Sequence, residues 1–237
     1  MYTTEQVMQE LEAAGTEQNR KIYRRHGAGD NQFGVSYATL GAMEKRIKRE
    51  KNPARDHEIG LELWATGNRD AQVLALRLLD PRRVGRDALN QWVRGLGDYG
   101  MADALGVFVA KVPDARELGY AWIDAEGEWI ETTGWNVIGN LVALGKVSEA
   151  ECAELLVRIE RDIHTAKNRV RYSMNQVVIA VGVRDGALYP LAITSAQTIG
   201  PVMVDHGQTG CKTPDAASYI EKTLAYQAEK AARKAAK

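Results

Sequence analysis

An aromatic ring and a carboxylate stand four residues apart in the segment Tyr99-Gly100-Met101-Ala102-Asp103. Residues at this spacing share one face of an α-helix. The ring of Tyr99 can pack against a sugar or a base. The carboxylate of Asp103 can stabilise positive charge as a glycosidic bond loosens, or it can position the attacking water. A structural interpretation competes, with a partly exposed Tyr over the core and a solvated Asp. On spacing alone the structural interpretation is favoured, because such pairs are common.

The elements that would position these residues are predicted to be paired helices. The segment Leu61–Leu79, LELWATGNRDAQVLALRLL, contains two apolar stripes separated by the polar break Thr66-Gly67-Asn68. This pattern predicts two short helices joined by a tight turn. Neither helix is stable alone in water, because nothing local covers its apolar face. Such a pair is the unit of a stacked helical solenoid.

The rest of the chain repeats this theme, and strand signals are nearly absent. We predict an all-α, right-handed superhelical solenoid of about six two-helix repeats, from a repeat length of about 40 residues. Residues 1–224 are expected to form a single domain, and residues 225–237 a frayed, basic C-terminal tail. The predicted helices include Ser36–Arg49, Tyr99–Lys111 with Asp98 as its cap, Glu128–Leu144, Glu149–His164, Arg169–Val183 and Leu188–Ile199. The predicted core includes Trp64, Leu74, Leu78, Leu118, Trp122, Val137, Leu141, Leu155 and Val178.

Composition limits the class of protein. The 237 residues carry 31 Lys and Arg against 31 Asp and Glu. This zero formal charge argues mildly against a nucleic-acid binder, since such proteins are usually basic. Cys152 and Cys211 have no metal-type spacing, so we expect reduced thiols. The N-terminus has no signal-peptide core, and no run approaches a membrane span in length. We therefore expect a soluble, cytoplasmic protein with no membrane partner.

Three groups of basic residues recur along the chain. Equivalent helices of a solenoid line one concave surface, so groups a repeat apart could form one positive groove that follows a DNA backbone. The expected backbone contacts are Lys45, Lys48, Arg169 and Arg171. Ordinary solvated helix faces are the alternative, since acidic residues lie among the groups. The groups are Lys45, Arg46, Lys48, Arg49, Lys51 and Arg55; Arg82, Arg83 and Arg86; and Arg158, Arg161, Lys167, Arg169 and Arg171.

The helix pair at Trp64 resembles a known family. Glu62-Leu63-Trp64 followed by Asp70-Ala71-Gln72 is similar to the N-terminal half of the HEAT-like-repeat DNA glycosylases for alkylated purines (AlkD-like proteins). In that family a Glu-Leu-Trp helix precedes an Arg/Asp-Glu-x-Gln helix. The resemblance extends over most of residues 33–224. It implies a HEAT-like repeat α-α superhelix, a double-stranded DNA partner, a monomer and no cofactor.

The same resemblance assigns roles to the Tyr99 segment. In the family this helix begins Trp-Asp-x-x-Asp, and the second Asp is the catalytic carboxylate. Asp103 falls on that position, so the resemblance implies that Asp103 is catalytic. Tyr99 stands where the family has Trp, which implies a substrate-binding ring. Gly100 stands where the family has its first Asp.

Two further signature positions lie on later helices. The family has a Trp-x-x-Arg pattern that helps to grip DNA, and here the corresponding residues are Trp129 and Thr132. A second family Trp corresponds to Gln176. The resemblance implies that Trp129, Thr132 and Gln176 are substrate-binding positions. Thr cannot replace the bidentate, charge-assisted contact of Arg with phosphate, however, so the departures weaken the inference of activity.

The C-terminal region also resembles the family. Val204-Asp205-His206-Gly207 and Cys211-Lys212-Thr213-Pro214-Asp215-Ala216 are similar to a signature found in many DNA alkylation repair proteins. It predicts a clasp, in which a loop folds back over the last helices before a helix capped by Thr213 with Pro214 in its first turn. Asp205, His206 and Cys211 are conceivable metal ligands. A hydrogen-bonded loop is favoured, because three mixed ligands are weak evidence, and no metal is expected.

Two functions remain open at this point. One is a monofunctional DNA glycosylase, a hydrolase that cleaves the N-glycosidic bond of cationic alkylated purines with help from Asp103. The other is a non-catalytic repeat protein that binds distorted or branched DNA, or a protein partner. The replacements at Tyr99, Gly100, Thr132 and Gln176 favour the second function.

Overall fold

The computed structural model describes residues 2–184 and 186–235, and within those ranges it contains helices and no β-strand. The all-α prediction is confirmed. A short 3-10 turn spans Pro81–Arg83. The α-helices in the described ranges are α1 (Thr4–Ala14), α2 (Glu17–Arg25), α3 (Tyr37–Lys48), α4 (Pro53–Ala65), α5 (Arg69–Leu78), α6 (Arg86–Arg94), α7 (Tyr99–Val109), α8 (Ala115–Ile123), α9 (Glu128–Ala143), α10 (Glu149–Asp162), α11 (Asn168–Arg184), α12 (Tyr189–Ile199) and α13 (Ala216–Ala235). None of the described helices is long and apolar enough to cross a membrane.

Polar side chains fix where many of these helices begin. The Ser36 hydroxyl accepts a hydrogen bond from the Thr39 N–H at 3.1 Å, and the Asp98 carboxylate accepts one from the Met101 N–H at 3.0 Å. Ser148 and Glu151 form a capping box at the start of α10. Each cap satisfies an N–H group that has no partner within its own helix. The predicted caps Ser36 and Asp98 are confirmed.

The chain divides into two compact units by its internal contacts. Unit 1 comprises residues 1–115 and 207–209, and unit 2 comprises residues 116–206 and 210–237. In unit 1, α3, α5 and α7 pack side by side, while α4 packs on α5 and α6 on α7. In unit 2, α9, α11 and α13 pack in series, and α10 and α12 cover α11. This alternation is that of two-layered helical repeats. The expectation that residues 1–224 form one domain stays a prediction.

Each unit has an apolar core that contains the predicted residues. In unit 1, Trp64, Leu74 and Leu78 are buried. The Trp64 ring stacks on Trp92 with 4.2 Å between ring centroids. Offset aromatic pairs of this kind add to the stabilisation from burial alone. In unit 2 the buried residues include Leu118, Trp122, Val137, Leu141, Leu155 and Val178. The core prediction is confirmed at all nine positions.

Helix α13 begins later than the sequence predicted. The Thr213 hydroxyl contacts the His206 Nε2 atom at 3.0 Å, so it is engaged away from a helix start. Asp215 accepts a hydrogen bond from the Ser218 N–H at 2.9 Å instead, and the helix begins at Ala216. The prediction of Thr213 as the cap is therefore wrong. The helix runs through Ala235, and residues 236 and 237 of the predicted tail lie outside the described residues. Fraying of the tail stays a prediction.

Candidate functional site

Tyr99 and Asp103 lie at the start of α7 in unit 1. Tyr99 is the first residue of the helix, directly after the cap Asp98, and its ring is half-buried. Asp103 follows one turn later and is exposed. A partly exposed ring and an exposed carboxylate thus occupy neighbouring positions on one helix face, as the four-residue spacing predicted.

A histidine that the sequence analysis did not single out joins this surface. His26 is the C-cap of α2, and its ring lies 5.4 Å from the Tyr99 ring, centroid to centroid, at an interplanar angle of 34°. The neighbouring Arg25 is exposed. No local pattern signals a contact between residues so far apart in the chain. We call His26, Tyr99 and Asp103 the Tyr99 surface.

A buried ion pair lies beneath the Tyr99 surface. Arg69, the first residue of α5, donates from Nε to the Asp98 Oδ2 atom at 3.1 Å and from Nη2 to Oδ1 at 3.3 Å. The two side chains are only 8% and 6% exposed. The Arg69 guanidinium also lies over the Tyr23 ring at 4.5 Å. Burial alone would lower the pKa of Arg69, but the charge and hydrogen bonds of Asp98 outweigh burial and raise it.

This ion pair explains why a glycine stands at position 100. A Cβ atom on Gly100 would lie 2.7 Å from the Arg69 Nη2 atom, 3.1 Å from the Asp98 Oδ1 atom and 3.6 Å from the Tyr37 hydroxyl. A carboxylate at this position would also compete with Asp98 for the guanidinium. The Asp that the family resemblance places here would therefore require the Arg69 guanidinium to shift.

A second buried carboxylate shapes the loop between α2 and α3. Asp70 is fully buried and accepts hydrogen bonds from the backbone N–H groups of Phe33, Gly34 and Val35 at 2.7, 2.8 and 3.2 Å. Gly34 has a φ of +78°, and a Cβ there would lie 2.5 Å from the Thr16 carbonyl oxygen. Asp70 thus places the loop that leads into α3, and only glycine fits at its centre.

The two residues of unit 1 that were predicted to contact a DNA backbone differ in whether they already have partners within the protein. The Lys48 ammonium donates to the Glu44 carboxylate at 2.9 Å and to the Arg77 carbonyl oxygen at 2.6 Å. Lys45 is exposed, and no described residue forms an ion pair with it. Arg46 in the same helix pairs with Glu10. Lys45 thus remains available for a phosphate, whereas Lys48 already holds the end of α5.

The signature positions of unit 2 lie on α9 and α11. Trp129 is half-buried near the start of α9, and Gln176 is half-buried on α11. Thr132 is only 1% exposed, and its hydroxyl has no hydrogen-bond partner among the described residues. Thr132 is therefore part of the interior of unit 2, so its side chain cannot reach a ligand at the surface.

Arg169 and Arg171 anchor the predicted clasp. Arg169 is 7% exposed. Its Nη1 atom contacts the His206 Nδ1 atom at 3.4 Å. Arg171 donates to the carbonyl oxygens of Ala166 and Met203 at 2.7 and 3.1 Å. Both guanidinium groups thus hold the loop before α13. A role for them at a DNA backbone stays a prediction that this geometry does not favour.

Further contacts of the clasp are hydrogen bonds within unit 2. The Asn168 side chain donates to the Asp205 carbonyl oxygen at 2.8 Å and accepts from the Asp205 N–H at 2.7 Å. Burial and the nearby Arg169 lower the pKa of His206. The described residues contain no group of three or more His, Cys, Asp or Glu side chains that could hold a metal ion. The clasp prediction is confirmed in these contacts.

Comparisons with known proteins agree with this fold. A family model described as "DNA alkylation repair enzyme" matches residues 7–220. An uncharacterized protein of Listeria innocua is 33% identical over 226 residues, covering 94% of this chain and 97% of its own length. A second, from Listeria monocytogenes, is 31% identical with the same coverage of both chains.

A solved structure is also similar. It is described as "a new family of proteins related to the HEAT-like repeat DNA glycosylases with affinity for branched DNA structures". It matches this chain with a TM-score of 0.84 and 28% sequence identity, and the match covers 95% of each chain. The predicted HEAT-like repeat fold is thereby confirmed.

Proposed function

Because this chain belongs to the DNA alkylation repair family, we propose that it binds branched or distorted DNA through the Tyr99 surface and excises no base. The affinity for branched DNA that is described for the similar solved protein supports this choice of partner. The proposal further holds that the protein acts as a cytoplasmic monomer and contacts the double-stranded arms of such DNA.

The burial of Thr132 carries the non-catalytic part of the proposal. The family resemblance places a phosphate-gripping Arg at this position, and here a Thr side chain that is 1% exposed replaces it. A buried hydroxyl cannot make the bidentate contact that positions a DNA backbone for reaction. Gly100 removes a carboxylate from the same signature, and the Arg69–Asp98 pair lies close to this position. Two signature side chains are thus absent from the surface.

The Tyr99 surface still has the chemistry to bind an exposed base. The rings of Tyr99 and His26, which lie 5.4 Å apart at a tilt of 34°, form an aromatic surface, and base–aromatic stacking tolerates any base sequence. The exposed Arg25 beside His26 supplies a positive charge for a nearby phosphate. Branch points and distorted duplexes expose base faces that an intact duplex keeps stacked. The aromatic surface therefore favours such DNA over regular duplex.

The balance of basic and acidic residues favours selectivity for DNA shape over general affinity for duplex DNA. Non-specific DNA binding is driven mainly by the release of counterions from phosphates. A chain with 31 basic and 31 acidic residues has little net attraction for duplex of arbitrary shape. Discrimination then depends on local contacts such as the aromatic surface.

A glycosylase is the second candidate, and the exposure of Asp103 favours it. A carboxylate that faces anionic DNA is electrostatically unfavourable unless it meets positive charge, and a developing oxocarbenium ion would provide that charge. Asp103 lies one turn from the Tyr99 ring, where such an ion could be held. The two functions therefore make different predictions for one residue.

The test measures both activities on the wild-type protein. Binding is measured by fluorescence anisotropy with a four-way junction and with a linear duplex of the same sequence. Release of methylated purine bases from alkylated duplex is measured by mass spectrometry. We expect tighter binding to the junction and no base release above the protein-free rate. Equal binding to both DNAs contradicts the proposal, and base release by wild type establishes the glycosylase.

Asp103→Asn then separates the roles of the carboxylate. Under the binding proposal this variant has equal or slightly higher junction affinity, because one negative charge leaves the DNA-facing surface. A glycosylase would lose base release at unchanged affinity. Asp87→Asn, at another exposed position of unit 1, is the matched control for the loss of one charge. A fall in melting temperature limited to Asp103→Asn would instead assign that carboxylate a structural role.

A further inference from the structure

Helix α13 of unit 2 has a packed first part and an exposed second part. Ile220 is fully buried, and its Cδ1 and Cγ1 atoms lie so close to Gly182 of α11 that a Cβ there would come within 2.5 Å of Cδ1. Leu224 is half-buried. Every residue from 225 to 235 is exposed, although the helix runs on through Ala235. About three turns of helix thus extend without packing against the rest of unit 2.

Aromatic and basic residues share one face of this helix. They recur at steps of three or four residues, the spacing that keeps side chains on one helix face. Tyr219 and Tyr226 are 49% and 65% exposed. No described residue forms an ion pair with Lys222 or Lys230. We call this set the α13 stripe, and its members are Tyr219, Lys222, Tyr226, Lys230 and Arg233.

The opposite face lacks these residue types. It carries small or acidic side chains, including Ala228, Ala232, Ala235 and Glu221. Beside the stripe itself, Glu229 contacts Arg233 at 3.2 Å, with the Arg233 and Glu229 side chains 80% and 68% exposed. Exposed ion pairs of this kind contribute little to stability, so the guanidinium can exchange this carboxylate for a phosphate at little cost.

We propose that the α13 stripe binds a single-stranded DNA arm, with the two tyrosine rings stacking on unpaired bases and the cations contacting phosphates. This inference rests on the proposed function, since it names a DNA feature that such a protein would meet at a branch. Tyr219 and Tyr226 are about 10 Å apart along the helix, from a rise of about 1.5 Å per residue. Alternating stacking platforms and basic groups are the usual means of binding single strands without sequence preference.

The composition of the stripe favours nucleic acid over the other partners of a basic helix. A membrane surface requires a broad apolar face of large side chains, and the face opposite the stripe consists mainly of alanines. An isolated helix of about three turns is marginal in water. Binding a polyanion along Lys222, Lys230 and Arg233 would stabilise it in the helical form.

The experiment compares two branched DNAs that differ in one arm. In one DNA the arm is single-stranded oligo-dT, and in the other the same arm is duplex. We expect wild type to bind the single-stranded arm more tightly. Tyr219→Ala with Tyr226→Ala should weaken that binding roughly tenfold or more, because each stacked base contributes substantially. Lys230→Gln with Arg233→Gln should reduce the slope of log affinity against log salt by about 1.4, at about 0.7 per phosphate contact.

A charge-matched variant serves as the control. Ala228→Glu with Ala235→Glu lowers the net charge by the same two units at exposed positions on the opposite face, and the salt slope should stay that of wild type. Equal slope changes in both charge variants would overturn the proposal, because a general charge effect would explain them. Unchanged affinity in the double-tyrosine variant would also overturn the proposal. That outcome would favour an acidic protein as the partner of the stripe.

The proposed function and this inference fail in distinguishable ways. If wild type binds both branched DNAs equally and more tightly than linear duplex, the proposed function stands and the stripe proposal falls. If wild type prefers neither branched DNA to linear duplex, the proposed function falls, and the stripe proposal falls with it. Melting temperatures of all variants should match wild type, since none of the substituted residues is buried.

Discussion

The Arg69–Asp98 pair connects the start of α5 to the start of α7. Asp98 both caps α7 and accepts two hydrogen bonds from the Arg69 guanidinium. Removing two charges from water is costly, and only close geometry and additional hydrogen bonds repay the cost. Here the guanidinium also lies over the Tyr23 ring, whose hydroxyl donates to the Val35 carbonyl oxygen at 2.6 Å. One ion pair therefore sets the position of Tyr99.

Replacing Arg69 tests this role. Arg69→Met leaves the Asp98 carboxylate buried without its partner, so we expect the free energy of unfolding to fall by about 3–5 kcal/mol. Urea denaturation monitored by circular dichroism measures the change. Adding Asp98→Asn removes the uncompensated charge and keeps an oxygen that can cap α7, so the double variant should regain part of the loss. An Arg69→Met protein as stable as wild type would show that the pair is dispensable.

Sequence reasoning reached Tyr99, Asp103 and the cap Asp98, but it missed Arg69 and His26. Asp98 was predictable as a cap, because an Asp after a glycine turn and before an apolar helix is a local signal. Arg69 and His26 were not, because their contacts join residues far apart in the chain. Local periodicity carries no information on such pairs. The burial of Thr132 was likewise invisible, since Thr occurs both inside and at the surface of proteins.

The helices themselves followed closely from the sequence. Predicted and observed bounds agree to within about two residues at α9, where Glu128–Leu144 was expected and Glu128–Ala143 is found. Apolar stripes and polar caps are local signals, which explains the agreement. The start of α13 was wrong because the Thr213 hydroxyl contacts His206, a contact set by the clasp and not by neighbouring residues.

Helix α9 contains two glycines with opposite roles in packing. A Cβ atom on Gly134 would lie 2.7 Å from the Ile123 backbone nitrogen and 2.8 Å from the Trp122 carbonyl carbon. Backbone atoms of α8 cannot move aside without displacing that helix. A Cβ atom on Gly139 would meet only the Val177 Cγ2 atom, at 3.4 Å. The close approach of α8 to α9 thus requires glycine at position 134, whereas position 139 can accept a larger residue.

Alanine substitutions at these two glycines should therefore change the stability of unit 2 in opposite directions. Alanine has a helix propensity about 1 kcal/mol better than glycine. Gly139→Ala should stabilise unit 2 by up to that amount, because its contact is an ordinary one. Gly134→Ala should destabilise it by about 1–3 kcal/mol, since the clash with α8 exceeds the gain in propensity. Thermal unfolding of both variants measures the difference, and equal shifts in melting temperature would contradict the packing argument.

At the scale of the whole molecule, each unit contains a buried or half-buried histidine that accepts a hydrogen bond. In unit 1, His57 is 3% exposed, and its Nδ1 atom accepts from the Asp80 N–H at 3.1 Å. In unit 2, the Nδ1 atom of His206 faces the Arg169 guanidinium at 3.4 Å, which can only donate. Protonation would turn each acceptor into a donor and break these contacts. Burial and Arg83 lower the pKa of His57, as burial and Arg169 lower that of His206.

These two histidines predict how stability depends on pH. Both have folded-state pKa values below the ordinary value of 6.5, so between the two values the unfolded chain binds more protons than the folded protein. Stability therefore rises with pH across that window and is lost as pH falls below about 6.5. The melting temperature of wild type should fall as the pH is lowered from 7.5 to 5. The fall should be smaller in His57→Gln and in His206→Gln, because neither variant takes up that proton. Because the residues lie in different units, the double variant should show additive flattening, and a wild-type slope in either single variant would rule out that histidine as the source.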